Sequence, residues 1–167
     1  KALEIDGTFD DCQALAKQIL SDDELNQKFT LTSANSINIA RLIPQSFYYF
    51  WAFAQLQKLG KPIVFSVPSG NFGNLTAGLF AKKMGLPIHH FVASTNENDV
   101  VPKFLETGNY ESKPSKQTIS NAMDVGNPSN FERMKSLFNN DVSEFKKEIE
   151  SYSFSDEETK TTMRNVK

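Results

Sequence analysis

The sequence predicts an α/β fold built on a parallel sheet, with a helical extension towards the C-terminus. Three observations carry that expectation. Residues 62–85 read as a strand, a glycine loop and a helix. A second strand pattern follows at 87–94, and strand, helix and strand in that order make a right-handed parallel crossover. From residue 131 onward, apolar side chains recur at helical spacing.

Along the chain, residues 2–5 alternate weakly and read as a short strand ending at the turn signal Asp6-Gly7. Thr8 caps the helix that follows, with Asp11 three residues on as the other half of a capping box. Within 9–20, Cys12, Leu15, Ala16 and Ile19 form the expected inward stripe. Cys12 reads there as a small core residue, since no His or Lys is placed to activate it. Ser21 is expected to cap a second short helix at 22–28, and 29–32 is extended. Asn35 or Ser36 is expected to cap the next helix and Pro44 to mark a restart. Residues 45–58 then carry Phe47, Phe50, Trp51 and Ala54 on one face, an aromatic stripe expected in the core, before Gly60 ends the helix.

The apolar run Ile63, Val64, Phe65, Ser66 and Val67, bounded by two prolines, reads as a buried strand. Ser69, Gly70, Asn71, Phe72, Gly73 and Asn74 form the turn into a helix over 75–84 that Gly85 stops. A helix starting after a glycine turn presents unpaired N–H groups and the positive end of its dipole, for which a phosphate is the natural guest. Gly70 and Gly73 are expected to supply positive φ and close approach, and Asn71 and Asn74 to cap. The spacing matches neither the P-loop nor the dinucleotide pattern, so the residues alone leave a phosphate cradle and an unoccupied turn both open. Asn35, Ser36, Asn38 and Arg41 likewise either converge on one anion or make a capped helix with an exposed arginine.

After the second strand, Thr95, Asn96, Glu97, Asn98 and Asp99 lead into a short helix through Val101, Phe104 and Leu105 that ends at Gly108. Both this turn and 69–74 fall at the carboxyl ends of strands, where such sheets bind ligands. Residues 109–130 form a long loop with one apolar island at 119–125. Ser129 and Glu132 frame a capping box for a helix with Phe131, Met134, Leu137 and Phe138. A break at Asn139-Asn140 precedes a helix with Val142, Phe145 and Ile149, and a second box at Ser155 and Glu158 opens the last one. This charged tail is expected to be a peripheral helical subdomain.

Composition narrows the function. The 167 residues suit one good core. With 18 basic against 20 acidic residues and no basic block, nucleic acid is excluded as a partner. A single cysteine rules out an internal disulfide. The only histidines, His89 and His90, point to opposite faces of a strand, so no metal site is expected. No apolar run reaches the ~18 to 20 residues that span a bilayer, and no signal peptide opens the chain, so no membrane partner and a reducing, cytoplasmic setting are expected.

Four segments carry a longer pattern: Leu3-Glu4-Ile5-Asp6-Gly7-Thr8-Phe9-Asp10-Asp11-Cys12-Gln13; Ser33-Ala34-Asn35-Ser36-Ile37-Asn38-Ile39-Ala40-Arg41 with Pro44-Gln45; Val67-Pro68-Ser69-Gly70-Asn71-Phe72-Gly73-Asn74-Leu75-Thr76-Ala77-Gly78; and Ser120-Asn121-Ala122-Met123-Asp124-Val125 with Pro128-Ser129-Asn130-Phe131. Together they resemble the threonine synthases of bacteria and fungi, within the fold-type II pyridoxal phosphate enzymes. The resemblance implies a full enzyme that converts O-phospho-L-homoserine and water into L-threonine and phosphate, with pyridoxal phosphate as electron sink. It implies that Ser69, Gly70, Asn71, Phe72, Gly73 and Asn74 wrap the cofactor phosphate, chiefly with backbone N–H groups. Asn35, Ser36, Asn38 and Arg41 would hold the substrate phosphate, Arg41 as the charged member. Residues 1–30 would then belong to a small domain, 31–112 to the α/β core with its phosphate loop, and 113–167 to a loop insertion and helical extension.

The resemblance also places the family's cofactor-anchoring lysine in a Ser-x-Lys-Asp type segment upstream of the region matching Lys1, and a hydroxyl partner of the pyridine nitrogen near the carboxyl end of the enzyme. Neither has a counterpart here, and Lys61, Lys82 and Lys83 sit too far from the turn to substitute. The chain is therefore expected to be an internal fragment, inactive alone. Its expected partners are the substrate, the remainder of the same polypeptide and, through uncovered surface, other copies of itself. The rival expectation is a non-catalytic phosphate-binding or interaction module derived from such an enzyme. The segment 120–125 either lines the site or locks the long loop.

Overall fold

The computed structural model describes residues 2–35 and 37–166. Among the described residues, three parallel strands, β1 (Val64–Pro68), β2 (His90–Thr95) and β3 (Ile149–Ser153), form one sheet in the order β1-β2-β3. Val64 pairs with His90, and Phe91 pairs with Ile149. Helices α1 (Phe9–Leu20), α2 (Asp23–Lys28) and α3 (Leu42–Leu56) precede the sheet. Helix α4 (Gly73–Lys83) connects β1 to β2, while α5 (Val100–Thr107), α6 (Phe131–Ser136) and α7 (Val142–Glu148) lie between β2 and β3. Helix α8 (Asp156–Asn165) follows β3. The parallel crossover expected from 62–94 is therefore present.

Helix α4 is buried along most of its length: it packs against α3, and its Gly78 faces Tyr49 of α3 and Phe91 of β2. Gly78 makes the crossing possible: a Cβ there would stand 2.6 Å from the Tyr49 ring and 2.7 Å from the Phe91 ring. Tyr49 and Phe91 meet edge-on at 5.9 Å, with Phe65 beside them. The core continues through Phe104, Phe131, Phe145 and Phe138, which pack α5, α6 and α7 together.

Several local expectations stand. Thr8 and Asp11 make the reciprocal capping box of α1, and Ser155 and Glu158 that of α8. Gly60, Gly85 and Gly108 take positive φ just beyond helix ends. Asn139 and Asn140 make the left-handed break between α6 and α7.

Others are corrected. Residues 2–5 form no strand. Cys12, Leu15 and Ile19 are exposed, and α1 instead buries Gln13, whose amide donates to Ser129 Oγ at 3.3 Å. Asp22, not Ser21, caps α2. The turn after residue 35 is a 3-10 turn, Ile39–Arg41, capped by Asn38, and α3 starts at Leu42, two residues before Pro44. In α3 the buried positions are Leu42, Ser46 and Tyr49, while Phe47 (59 % exposed) and Trp51 (70 %) face outward. Helical spacing shows that a helix has an apolar face but not which face this part of the molecule covers. Helix α6 carries no side-chain cap, and Ser129 turns to Asn71 instead. Ile149 opens β3 rather than continuing α7, so the tail contributes a strand to the sheet.

Candidate anion-binding site

The turn from β1 into α4 inverts the expected division of labour between glycine and its neighbours. Neither Gly70 nor Gly73 has positive φ; Phe72 does, at 59°, as the residue before the helix. Its ring is 3 % exposed. Burial of a Phe side chain contributes ~1.5 to 3 kcal/mol, which matches the ~1 to 3 kcal/mol that a non-glycine left-handed residue costs. Gly70 serves close approach, but to protein: a Cβ there would sit 2.6 Å from Met123 Cα. Ser69 has both donors engaged, its N–H on Ser94 O at 2.8 Å and its hydroxyl on Val67 O at 2.9 Å. Among the described residues, no protein oxygen accepts from the N–H of Gly70, Phe72, Gly73 or Asn74. Those donors lie at the positive end of the α4 dipole.

The asparagines are positioned from behind rather than used as caps. Asn71 Oδ1 accepts from Ser129 N (2.7 Å) and Oγ (3.1 Å), and Asn71 O from Asn130 Nδ2 (2.9 Å). Tyr49 donates to Asn74 O (3.0 Å) and Asn74 Oδ1 (2.9 Å). Burial pushes the Tyr49 phenol well above its usual value, so it stays a donor at any physiological pH.

The second set of predicted residues lies on the turn before α3. Asn38 Oδ1 accepts from Ala40 N at 3.0 Å and its amide donates to Ser33 O at 3.2 Å, so Asn38 shapes the turn. The exposed Arg41 donates through Nη1 to Ala34 O. Asn35 O accepts from Asn38 N at 3.0 Å. Ser36 lies outside the described residues.

Asn35 and Arg41 from this turn, and Asn71, Gly73 and Asn74 from the other, share one cleft of about 260 Å³, walled by Phe9 and Gln45. Among the described residues no carboxylate lines it. Backbone amides, side-chain amides and one guanidinium therefore face a common space, a donor set that suits phosphate groups and opposes cations. Among the described residues no cluster of His, Cys, Asp and Glu could hold a metal ion, and no helix is long and apolar enough to cross a membrane.

The segment 120–125 locks the long loop. Asp124 Oδ1 accepts from Asn96 Nδ2 (2.7 Å), Thr118 Oγ1 (2.8 Å) and Asn98 Nδ2 (3.3 Å), and Oδ2 from Thr118 N (3.0 Å). Asn96 and Asn98 are buried at the carboxyl end of β2. This hub presses Met123 against Gly70, which accounts for the glycine. Sequence reasoning missed Tyr49 and Arg133 as supports of the cleft, because neither belongs to a local motif: the bonds from Tyr49 to Asn74 and from Arg133 to Ile37 span 25 and 96 residues.

The fold and the cleft define a parallel α/β protein in which the N-terminus of α4 and the turn before α3 border one donor-rich space. The family model described as pyridoxal-phosphate dependent enzyme matches residues 1–166, and the chain belongs to that family. It is 53 % identical over 163 residues to a threonine synthase of Serratia marcescens, covering 97 % of this chain and 38 % of the relative. A Saccharomyces cerevisiae threonine synthase is 49 % identical over 137 residues, 80 % of this chain and 27 % of the relative. The crystal structure of threonine synthase from Escherichia coli superposes with a TM-score of 0.90 at 48 % identity, over 98 % of this chain and 38 % of that one. A threonine synthase from Brucella melitensis, solved with pyridoxal phosphate bound, gives 0.81 at 36 % identity, over 99 % and 41 %. The chain thus spans about 38 % of the length of the Serratia relative.

Proposed function

We propose that this chain supplies the two phosphate-binding elements of a threonine synthase, which turns O-phospho-L-homoserine and water into L-threonine and phosphate. The observation that carries the reading is the shared, carboxylate-free cleft of Asn35, Arg41, Asn71, Gly73 and Asn74. Pyridoxal phosphate, where bound, supplies an electron sink for the β,γ-replacement. In this reading the amides of Gly70, Phe72, Gly73 and Asn74, with the buried Ser69 and the anchored Asn71 shaping the turn, receive the cofactor phosphate. Asn35, Ser36 and Arg41, on the turn that Asn38 shapes, receive the substrate phosphate, and Arg41 balances its charge and fixes its orientation.

No lysine of this chain lies in the segment that the family uses to anchor its cofactor, so the chain by itself forms no threonine. A purely phosphate-binding module is the weaker reading, since the relatives found over nearly the whole chain are enzymes of one kind. We place this work in the cytoplasm, where an exposed thiol such as Cys12 stays reduced. The uncovered face of α3 belongs, in this reading, against the further polypeptide that the relatives carry; in isolation it drives self-association.

The test is a titration of the chain with O-phospho-L-homoserine, followed by amide NMR shifts. Shifts confined to 35–41 and 70–75, with affinity reduced at least about tenfold in Arg41→Ala, are expected, since a charge-assisted hydrogen bond is worth ~1.5 to 3 kcal/mol. Equal affinity in the variant overturns the assignment of Arg41. Threonine formed by the chain with pyridoxal phosphate, faster than by the cofactor alone, overturns its inactivity.

A further inference from the structure

The two turns that carry the anion donors are far apart in sequence, and one side chain of α6 touches the supports of both. Arg133 donates through Nη2 to Ile37 O at 2.5 Å and through Nη1 to Asn130 Oδ1 at 2.7 Å. Asn130, fully buried, passes the connection on by donating from Nδ2 to Asn71 O at 2.9 Å. A planar guanidinium is suited to this because its donors have fixed relative directions; a lysine ammonium at the same place cannot hold two acceptors in one rigid fork.

We propose that Arg133 is a positioning residue that clamps the 35–41 turn onto the glycine turn, and so sets the separation of the two phosphate subsites. The proposal rests on the function inferred above for those subsites. Arg133 itself touches neither guest. It acts through Asn130 on one side and the backbone of Ile37 on the other, and its effect is on geometry. Neutral or flexible replacements therefore leave the α4 amides where Tyr49 and the sheet hold them, while the 35–41 turn loses its register.

The experiment uses the chain and its variants Arg133→Met and Arg133→Lys, with inorganic phosphate as the probe. Without any anion, hydrogen exchange of the Asn38 and Arg41 amides, which are held by Asn35 O and Asn38 O, is expected to accelerate about tenfold or more in both variants, with α4 unchanged. On phosphate titration, the response of Gly73 and Asn74 is expected to keep its affinity within about twofold, and that of 35–41 to weaken at least about fivefold. Exchange at Asn38 and Arg41 that matches the parent overturns the clamp. So does acceleration spread evenly over α4 and the sheet, which marks a merely structural residue, and so does a Lys variant equal to the parent in both readouts. A parent chain that ignores phosphate refutes the function proposed above, whereas the exchange measurement still decides the clamp.

Discussion

At Gly70 a Cβ would stand 2.6 Å from Met123 Cα, and Met123 is held there by the hydrogen bonds of Asp124 to Asn96 and Thr118. Gly70→Ala must therefore move a backbone fixed by a buried polar hub, and is expected to destabilise the chain by ~1 to 3 kcal/mol in denaturant unfolding. The neighbouring Phe72 shows the limit of residue-level reading. Glycine was the natural candidate for positive φ, yet the left-handed position went to a residue whose ring the core buries. Phe72→Gly relieves the strain but empties the ring site, so a net loss of ~1 to 3 kcal/mol is expected in the same assay. That the turn leaves N–H groups without a protein acceptor at the start of a helix was legible, because small residues between a strand and a helix have a local cause. Which atoms approach Gly70 was not, since Met123 lies 53 residues away.

Two helix starts, those of α1 and α8, were read correctly, whereas the cap expected at Ser21 and the box expected at Ser129 did not form, and helix faces were read poorly. The boxes at Thr8 and Ser155 are decided within four residues, and both form. Their carboxylates are titration markers: hydrogen bonds from Thr8, its backbone N–H foremost, hold Asp11 below the usual range, and those from Ser155 do the same for Glu158. A depressed folded pKa means the contribution is present above the unfolded value of about 4 and disappears as pH falls through the folded one. Asp11→Asn and Glu158→Gln are accordingly expected to be less stable than the parent at pH 7 and to converge with it in strong acid, followed by far-UV circular dichroism. A gap that persists in strong acid would contradict the assignment. The inward stripes expected for α1 and α3 failed for another reason. Burial is a property of two surfaces, and the described residues offer no second surface to Leu15, Ile19, Phe47 or Trp51.

For the whole molecule, the parallel crossover was legible because its three elements are consecutive, whereas β3 was not, because its residues follow a helical pattern and its partner strand is remote. The cleft shows the same division. Each turn announced itself through its own motif, but their meeting depends on the path of α3 over α4 and on α6 behind both. The exposed aromatic face of α3 makes one expectation concrete: in sedimentation velocity the chain self-associates with rising concentration, and Phe47→Lys with Trp51→Lys abolishes this while changing stability by no more than ~0.5 kcal/mol each. A parent that stays monomeric refutes it. The late position of β3 also bears on synthesis. Phe91 waits for Ile149 to emerge from the ribosome before its strand gains a second neighbour, so the growing polypeptide carries an unfilled sheet border through the translation of α5, α6 and α7. A message truncated in that interval yields a product with a sticky flank, which makes chaperone capture of nascent chains strongest while residues 149–153 have yet to emerge.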